Sequence, residues 1–378
     1  MPLFLPLAVA ALGVQATATT VLAPDAEARW VPFELTPTNQ IRFEAQVGGQ
    51  RARAILDTGL SNTIVTGSFA RSAGLRATGH QQALAIGGGV EIAWARGPAL
   101  AFGGLTHQGG RIGITDLPGQ ERFGADLLVG SDVLGCCAVE IDYDLLRFRI
   151  LPSGRLPFTG ATARLQSAPA SGVPVTDLGL GGKRLRPVIV DTGDGAWVTL
   201  SRAAWNAADD RGAQLSTTLG WGMGGAVVNE VAVLTTMRLA GVPLGDTEIR
   251  IESEGGYSIA AGVAGRIGTG LLSRYHVLLD PRAGRMVLRP GARAHEPVQR
   301  STSGLLLAAL RDRLRVLHVM RGSPAADGGW HNGDEICYAD GAPVADRPVD
   351  WAAGAPGRTV QLVLCDGRAR SLTLRQFY

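Results

Sequence analysis

Gly48-Gly49-Gln50-Arg51-Ala52-Arg53-Ala54-Ile55-Leu56-Asp57-Thr58-Gly59 is written a second time as Gly181-Gly182-Lys183-Arg184-Leu185-Arg186-Pro187-Val188-Ile189-Val190-Asp191-Thr192-Gly193. Apart from one residue inserted in the second copy, the layouts agree. A glycine turn followed by a short apolar run is a hairpin signal, and it delivers each aspartate at the end of a buried strand. Gly59 and Gly193 let the backbone turn tightly beneath the carboxylate. One Asp after an apolar strand is ordinarily a turn or capping residue. Two of them, Asp57 and Asp191, inside a matched repeat point instead to a pair of carboxylates brought together.

The repeat continues downstream. Val129-Gly130-Ser131-Asp132-Val133-Leu134 lies over Ile267-Gly268-Thr269-Gly270-Leu271-Leu272, and the same offset keeps Val139, Ile141, Asp142, Arg147 and Ile150 over Val277, Leu279, Asp280, Arg285 and Leu288. Matched repeats mean duplicated structural units, here two of about 120 residues each rather than one large core. Between triplet and apolar-Gly element each half carries a glycine-tipped hairpin, Ile86-Gly87-Gly88-Gly89-Val90 and Leu219-Gly220-Trp221-Gly222-Met223-Gly224-Gly225. No helix opens after the second glycine run, which a phosphate-binding loop requires. Asp142 and Asp280 read as turn residues of the closing hairpins.

This order resembles the aspartic protease family, and its retropepsin-like branch more than the large pepsins. The resemblance covers residues 40–290 in two passes and implies a mainly β fold, a two-lobed pair of pepsin- or retropepsin-like β-barrels with lobes at residues 30–155 and 160–290. It implies Asp57 and Asp191 as the catalytic pair, with Thr58, Gly59, Thr192 and Gly193 supporting them. The hairpins around Gly88 and Trp221 would be flaps over a polypeptide substrate. Because both aspartates lie in one chain, a monomer is expected. Leu60 and Asp194 depart from the family, which usually has a small residue or a hydroxyl after the triplet. A third carboxylate at Asp194 would disfavour ionisation of the pair, unless it faces solvent or binds a turn amide.

In such a site one ionised Asp takes a proton from water while its neutral partner donates to the substrate carbonyl. Two like charges about 3 Å apart hold one shared proton and titrate as a unit, so activity favours acidic to mildly acidic pH. The competing readings are an inactive bilobal peptide-binding protein and, a poorer fit, a glycosidase-type carboxylate pair.

After Arg289-Pro290-Gly291 a polar stretch reads as a linker, followed by about 75 residues, near the lower end for independent folding. Gly304-Leu305-Leu306-Leu307, Arg315-Val316-Leu317-His318-Val319, Gly322-Ser323-Pro324-Ala325-Ala326 and Asn332-Gly333-Asp334-Glu335-Ile336 resemble a PDZ domain, an α+β unit at residues 300–378. The resemblance implies that Gly304, Leu305 and Leu306 bind a peptide C-terminus, with the next strand pairing to it. The segment Arg347 to Gly354, which would wall the groove, is short and interrupted for a helix.

Lys and Arg number 36 against 33 Asp and Glu, a net charge of +3 with no long charge run, which predicts no nucleic-acid partner. The apolar run from Pro2 to Val14, followed by Ala16-Thr17-Ala18, resembles a secretory signal at residues 1–18 and implies a periplasmic or secreted protein. An uncleaved membrane anchor is the alternative. The cysteines and histidines lack metal-site spacing, so neither metal nor cofactor is expected. Adjacent Cys136 and Cys137, pointing to opposite faces of a strand, are expected as buried thiols. Cys337 and Cys365 fall on strands of one small domain and would bond if close enough.

Overall fold

The computed structural model describes residues 17–116, 124–208, 212–346 and 349–378. The apolar run at residues 2–14, Arg347 and Pro348 therefore lie outside the described residues.

The chain is mainly β. Its glycine turns and alternating apolar runs form an eleven-stranded sheet, a ten-stranded sheet and two of six strands. In the first sheet the strand Gln50–Leu56 runs parallel to Leu127–Val129, which is antiparallel to Ile64–Thr66; that strand is parallel to Arg111–Thr115, which leads antiparallel to Gly88–Arg96 and Ala77–Ala85. The second sheet repeats the sequence of pairings with Lys183–Asp191, Gly265–Gly268, Val198–Leu200, Thr247–Ile251, Gly225–Leu234 and Ser216–Gly222. The inserted residue of the second copy is absorbed as a bulge. Thr176 pairs Val188, but Leu178 pairs Leu185, leaving Arg186 and Pro187 between them. A bulge is where a strand tolerates proline.

None of the sheets closes, which corrects the expectation of barrels. Each large sheet instead ends in a hairpin strand, Ala77–Ala85 in one and Ser216–Gly222 in the other. Those end strands leave the sheet free to reach over the site rather than pairing round to its start. The first sheet also begins earlier than residue 30, because Thr19–Leu22 pairs with Leu105–Gln108.

The closing hairpins of the two halves join in one six-stranded sheet, where Val139 faces Leu279 and Ile141 faces Val277. A single apolar cluster, including Leu56, Val129, Phe148, Val190, Ile267 and Val277, runs through both halves. Asp142 accepts the Leu145 amide (3.1 Å) and Asp280 the Ala283 amide (3.0 Å), the turn roles expected of them.

The C-terminal segment has its own sheet, ordered Leu305–Ala309, Leu314–Val319, Glu335–Ala339, Thr359–Leu364, Ala369–Thr373, and its own core around Val316, Trp330, Ile336 and Trp351. The helix Pro324–Asp327 starts on Ser323, whose hydroxyl accepts from Ala326 N–H (3.1 Å). Val349–Ala353 is a 3-10 turn rather than an α-helix. The Cys337–Cys365 bond is formed, with Cα atoms 5.0 Å apart. Cys136 and Cys137 are bonded as well, which corrects the expectation of thiols. They lie in the turn between the helix Ser131–Leu134 and the strand Ala138–Asp142, so the alternation that would separate adjacent side chains does not apply.

Candidate active site

Each triplet hangs from the buried end of a strand, and reciprocal bonds lock the two loops. Thr58 N–H donates to Thr192 Oγ1 (3.1 Å) and Thr192 N–H to Thr58 Oγ1 (3.0 Å). The Thr58 hydroxyl donates to the Val190 carbonyl (2.6 Å), the Thr192 hydroxyl to that of Leu56 (2.7 Å). From below, Ser131 Oγ donates to Thr58 O (2.8 Å) and Thr269 Oγ1 to Thr192 O (3.0 Å). Thr58 and Thr192 are thus buried cross-braces. Gly130 and Gly268 leave no room for a side chain, since a Cβ would meet the Leu60 carbonyl in one half and the Asp194 carbonyl in the other.

The lock presses each carboxyl group against the opposite loop. A Cβ at Gly59 would overlap the Asp191 carboxyl, and one at Gly193 would overlap that of Asp57. Asp57 and Asp191 face each other across the lock, close enough for the charge of Asp191 to act on Asp57. Asp191 Oδ1 accepts the amides of Gly193 (2.9 Å) and Asp194 (3.1 Å); in the first half the Leu60 amide donates to the Asp57 backbone carbonyl (3.3 Å). Burial, then the facing Asp191 charge, pushes Asp57 well above the usual carboxylate range. Burial, then the Asp194 charge, pushes Asp191 up to about 6. Two buried carboxyls in contact take up one proton between them well above the pH at which a free Asp would lose it.

Asp194 is paired, and only 14% of its side chain is exposed. Its Oδ1 accepts the Ala196 amide (2.9 Å), and its Oδ2 pairs with Arg266 Nε (3.1 Å). Arg266 Nη1 reaches on to Glu252 (2.7 Å), whose other oxygen accepts the Ser258 amide (2.8 Å). Burial would raise the Asp194 pKa, but the Arg266 guanidinium and the turn amide outweigh it and hold the carboxyl ionised.

The flap hairpins meet above the pair, where Gly224 N–H donates to Ile86 O (2.9 Å). Gly88 opens the second strand of one hairpin, and Trp221 lies on the first strand of the other and lines the cavity. That cavity, about 170 Å³, is floored by Asp57 and Asp191 and roofed by Ile86, Trp221 and Met223. Ligand pockets are usually about 300–1,000 Å³, so the cavity is small with the two hairpin tips in contact.

Two features escaped the sequence reading, one in the cavity lining and one behind it. Tyr257, on the short helix Tyr257–Ala260, lines the cavity, with the Arg266 guanidinium 5.2 Å from its ring centroid; nothing in its local sequence marks it. Arg266 had a signal, since it interrupts the apolar strand where the first half has Leu128. Among the described residues no group of three or more His, Cys, Asp or Glu could hold a metal ion.

Gly304, Leu305 and Leu306 stand apart from this site. The Gly304 amide donates to Ser301 Oγ (3.0 Å) and the Leu305 amide to Ser303 Oγ (3.2 Å). Leu306 packs on a cluster of Val231, Met320, Phe377 and Tyr378 that joins the C-terminal segment to the second flap. There Arg321 O accepts from Ser216 Oγ (2.7 Å), Arg321 N–H donates to Thr217 Oγ1 (3.0 Å), and Thr217 Oγ1 contacts His318 Nε2 (2.8 Å). The segment is therefore braced against both strands of the hairpin that carries Trp221.

The family model described as "Aspartyl protease" matches residues 43–133, which run through Asp57, the first flap and Gly130. No curated protein matches the chain. The match supports a retropepsin-like aspartyl protease and leaves the second half to be argued from its geometry.

Proposed function

We propose that the chain is a single-chain aspartic endopeptidase, two retropepsin-like lobes sharing one active site made of Asp57 and Asp191. The observation that carries this reading is the reciprocal threonine lock, which seats two carboxyls in contact beneath two meeting flaps. Asp191, whose Oδ1 accepts two backbone amides that favour the ionised form, is assigned as the base and Asp57 as the acid. Water held between them loses a proton to Asp191 as its oxygen bonds to the peptide carbonyl carbon, and Asp57 gives its proton to the carbonyl oxygen. Collapse of the resulting diol returns a proton to Asp57 and passes one from Asp191 to the leaving nitrogen as the C–N bond breaks. The parted flaps would close on an extended substrate, pairing with its backbone and excluding bulk water.

The C-terminal unit reads as a PDZ-like module. Its end strand Leu305–Ala309 has one edge unpaired within its sheet and suits an added peptide strand. Capture of a peptide carboxylate by Gly304 and Leu305 requires the Ser301 and Ser303 hydroxyls to release those amides. The working protein is a monomer acting on polypeptides in the periplasm or outside the cell, the setting that the leader-like N-terminal sequence and the Cys337–Cys365 bond both favour. No helix among the described residues is long and apolar enough to cross a membrane.

The test is cleavage of an unfolded polypeptide from pH 3 to 8 by the wild type and the Asp57→Asn and Asp191→Asn variants. Activity confined to the wild type at acidic to mildly acidic pH supports the reading. A variant that cleaves as well as the wild type, or a wild type that cleaves nothing while keeping its fold, overturns it.

A further inference from the structure

The cavity walls behind the two aspartates are built from equivalent positions filled with opposite chemistry. After its triplet and before its apolar-Gly element the first half places Leu60 and Leu128; the second places Asp194 and Arg266. The exchange is concerted, because Asp194 and Arg266 are paired at 3.1 Å. It also changes what faces the cleft. Leu60 and Leu128 both line the cavity, joined by Ile55, Leu84 and Ala125. In the second half Asp194 and Tyr257 line it, while Arg266 is drawn behind the wall and leaves only 4% of its side chain exposed.

That wall carries an excess of negative charge. One guanidinium serves two carboxylates, Asp194 (3.1 Å) and Glu252 (2.7 Å). The next cation within range of Asp194, Arg250, is turned to Glu248 at 3.4 Å. A side chain seated here would meet the 14% of the Asp194 side chain left exposed while its oxygens hold Arg266 and the Ala196 amide, and the Tyr257 ring, whose centroid lies 5.2 Å from Arg266. One seated opposite finds hydrocarbon, which would strip a charge of its water without return. A long basic side chain suits the first setting, since its apolar stem can lie on the ring while its head reaches the carboxylate.

Resting on the reading of this site as a protease centre, we propose that the cleft sorts the two residues flanking the scissile bond by charge. The wall of Leu60 and Leu128 takes a large aliphatic or aromatic residue, and the wall of Asp194 and Tyr257 takes Lys or Arg. Cleavage then falls at junctions between an apolar and a basic residue, and Asp194 is the specificity-determining residue.

The test digests a mixture of unfolded polypeptides with the full chain, sequences the new termini by mass spectrometry, and measures kcat/KM on peptide pairs differing only by Lys or Leu at the sorted position. The wild type should prefer Lys by about tenfold or more, the size of one charge-assisted hydrogen bond. Asp194→Asn keeps an acceptor for the Ala196 amide but removes the charge, and should erase that preference mainly through KM. The double variant Asp194→Leu with Arg266→Leu, which restores the first half's pair, should turn both flanking positions apolar. Should it fail to fold, Asp194→Asn decides alone. Apolar residues at both positions in wild-type cuts, or a Lys preference that survives Asp194→Asn, overturns the sorting while leaving the protease reading intact. A wild type that cleaves nothing overturns both.

Discussion

Replacing Thr58 by Val keeps the shape of the side chain but removes its hydroxyl, and the threonine lock gives the cost. Two groups lose their partner, the Val190 carbonyl (2.6 Å) and the Thr192 amide (3.0 Å). Thr58 and Thr192 are both buried, so water cannot substitute. A buried polar group left unsatisfied costs about 1–3 kcal/mol, which for two groups makes the change worth about 2–6 kcal/mol. That is a large share of the roughly 5–15 kcal/mol that holds a typical protein folded. Thr58→Ser retains the hydroxyl and should cost under about 1 kcal/mol beyond its lost methyl group. The assay is urea unfolding followed by tryptophan fluorescence, with cleavage measured in parallel, because a chain of several sheets need not unfold in one step. Both readouts should fall together for Val and stay near wild type for Ser. A Val variant within about 0.5 kcal/mol of wild type, or a Ser variant as damaged as Val, would refute the lock as the element that seats the carboxyls.

Three further outcomes follow from the same geometry. Asp191 has a folded-state pKa near 6 against an ordinary 3.8, so its contribution to stability is present in full below about pH 4 and lost as pH rises through 6. Removing the titrating group in Asp191→Asn should therefore stabilise the fold at pH 8 by up to about 3 kcal/mol and change little at pH 4, as thermal melts at the two pH values would record. Arg266→Leu leaves the buried Asp194 and Glu252 carboxylates unpaired and should cost about 3–5 kcal/mol in urea unfolding, whereas a loss under about 1 kcal/mol would show that the ion network is solvated. Met320→Asp puts a charge into the cluster of Val231, Phe377 and Tyr378. Hydrogen exchange should then quicken in Ser216–Gly222 while the first-half strand Gln50–Leu56 stays protected.

Much of the fold was legible because the repeat fixes pairings as well as residues. The glycine turns, the apolar strands and the Gly130 and Gly268 elements all sit where the matched order places them, and even the inserted residue has a visible fate as a bulge at Arg186 and Pro187. Sheet closure was not legible, because it depends on where the end strands go, and these run out as flaps. The Cys136–Cys137 bond was missed because alternation was assumed for residues that lie in a turn.

At the site, the repeat's spacing pointed to Asp57 and Asp191 as a pair, while the bracing role of Thr58 and Thr192 was implied by the family resemblance. The environment of Asp194 could not be read, since its partner Arg266 is 72 residues away and only the fold brings them together. Tyr257 enters the cavity on a four-residue helix with no counterpart in the repeat's landmarks. Pairing of distant residues in this way is set by tertiary packing, which no local window contains.

The most direct measurement of the central claim is kcat/KM for Asp57→Asn and Asp191→Asn, assayed separately and as an equal mixture on one unfolded substrate at acidic pH. A site made within one chain predicts that each variant falls by about a thousandfold, the order expected for loss of a general acid or base, and that mixing restores nothing. A variant that keeps wild-type activity, or a mixture that recovers it, would contradict the account.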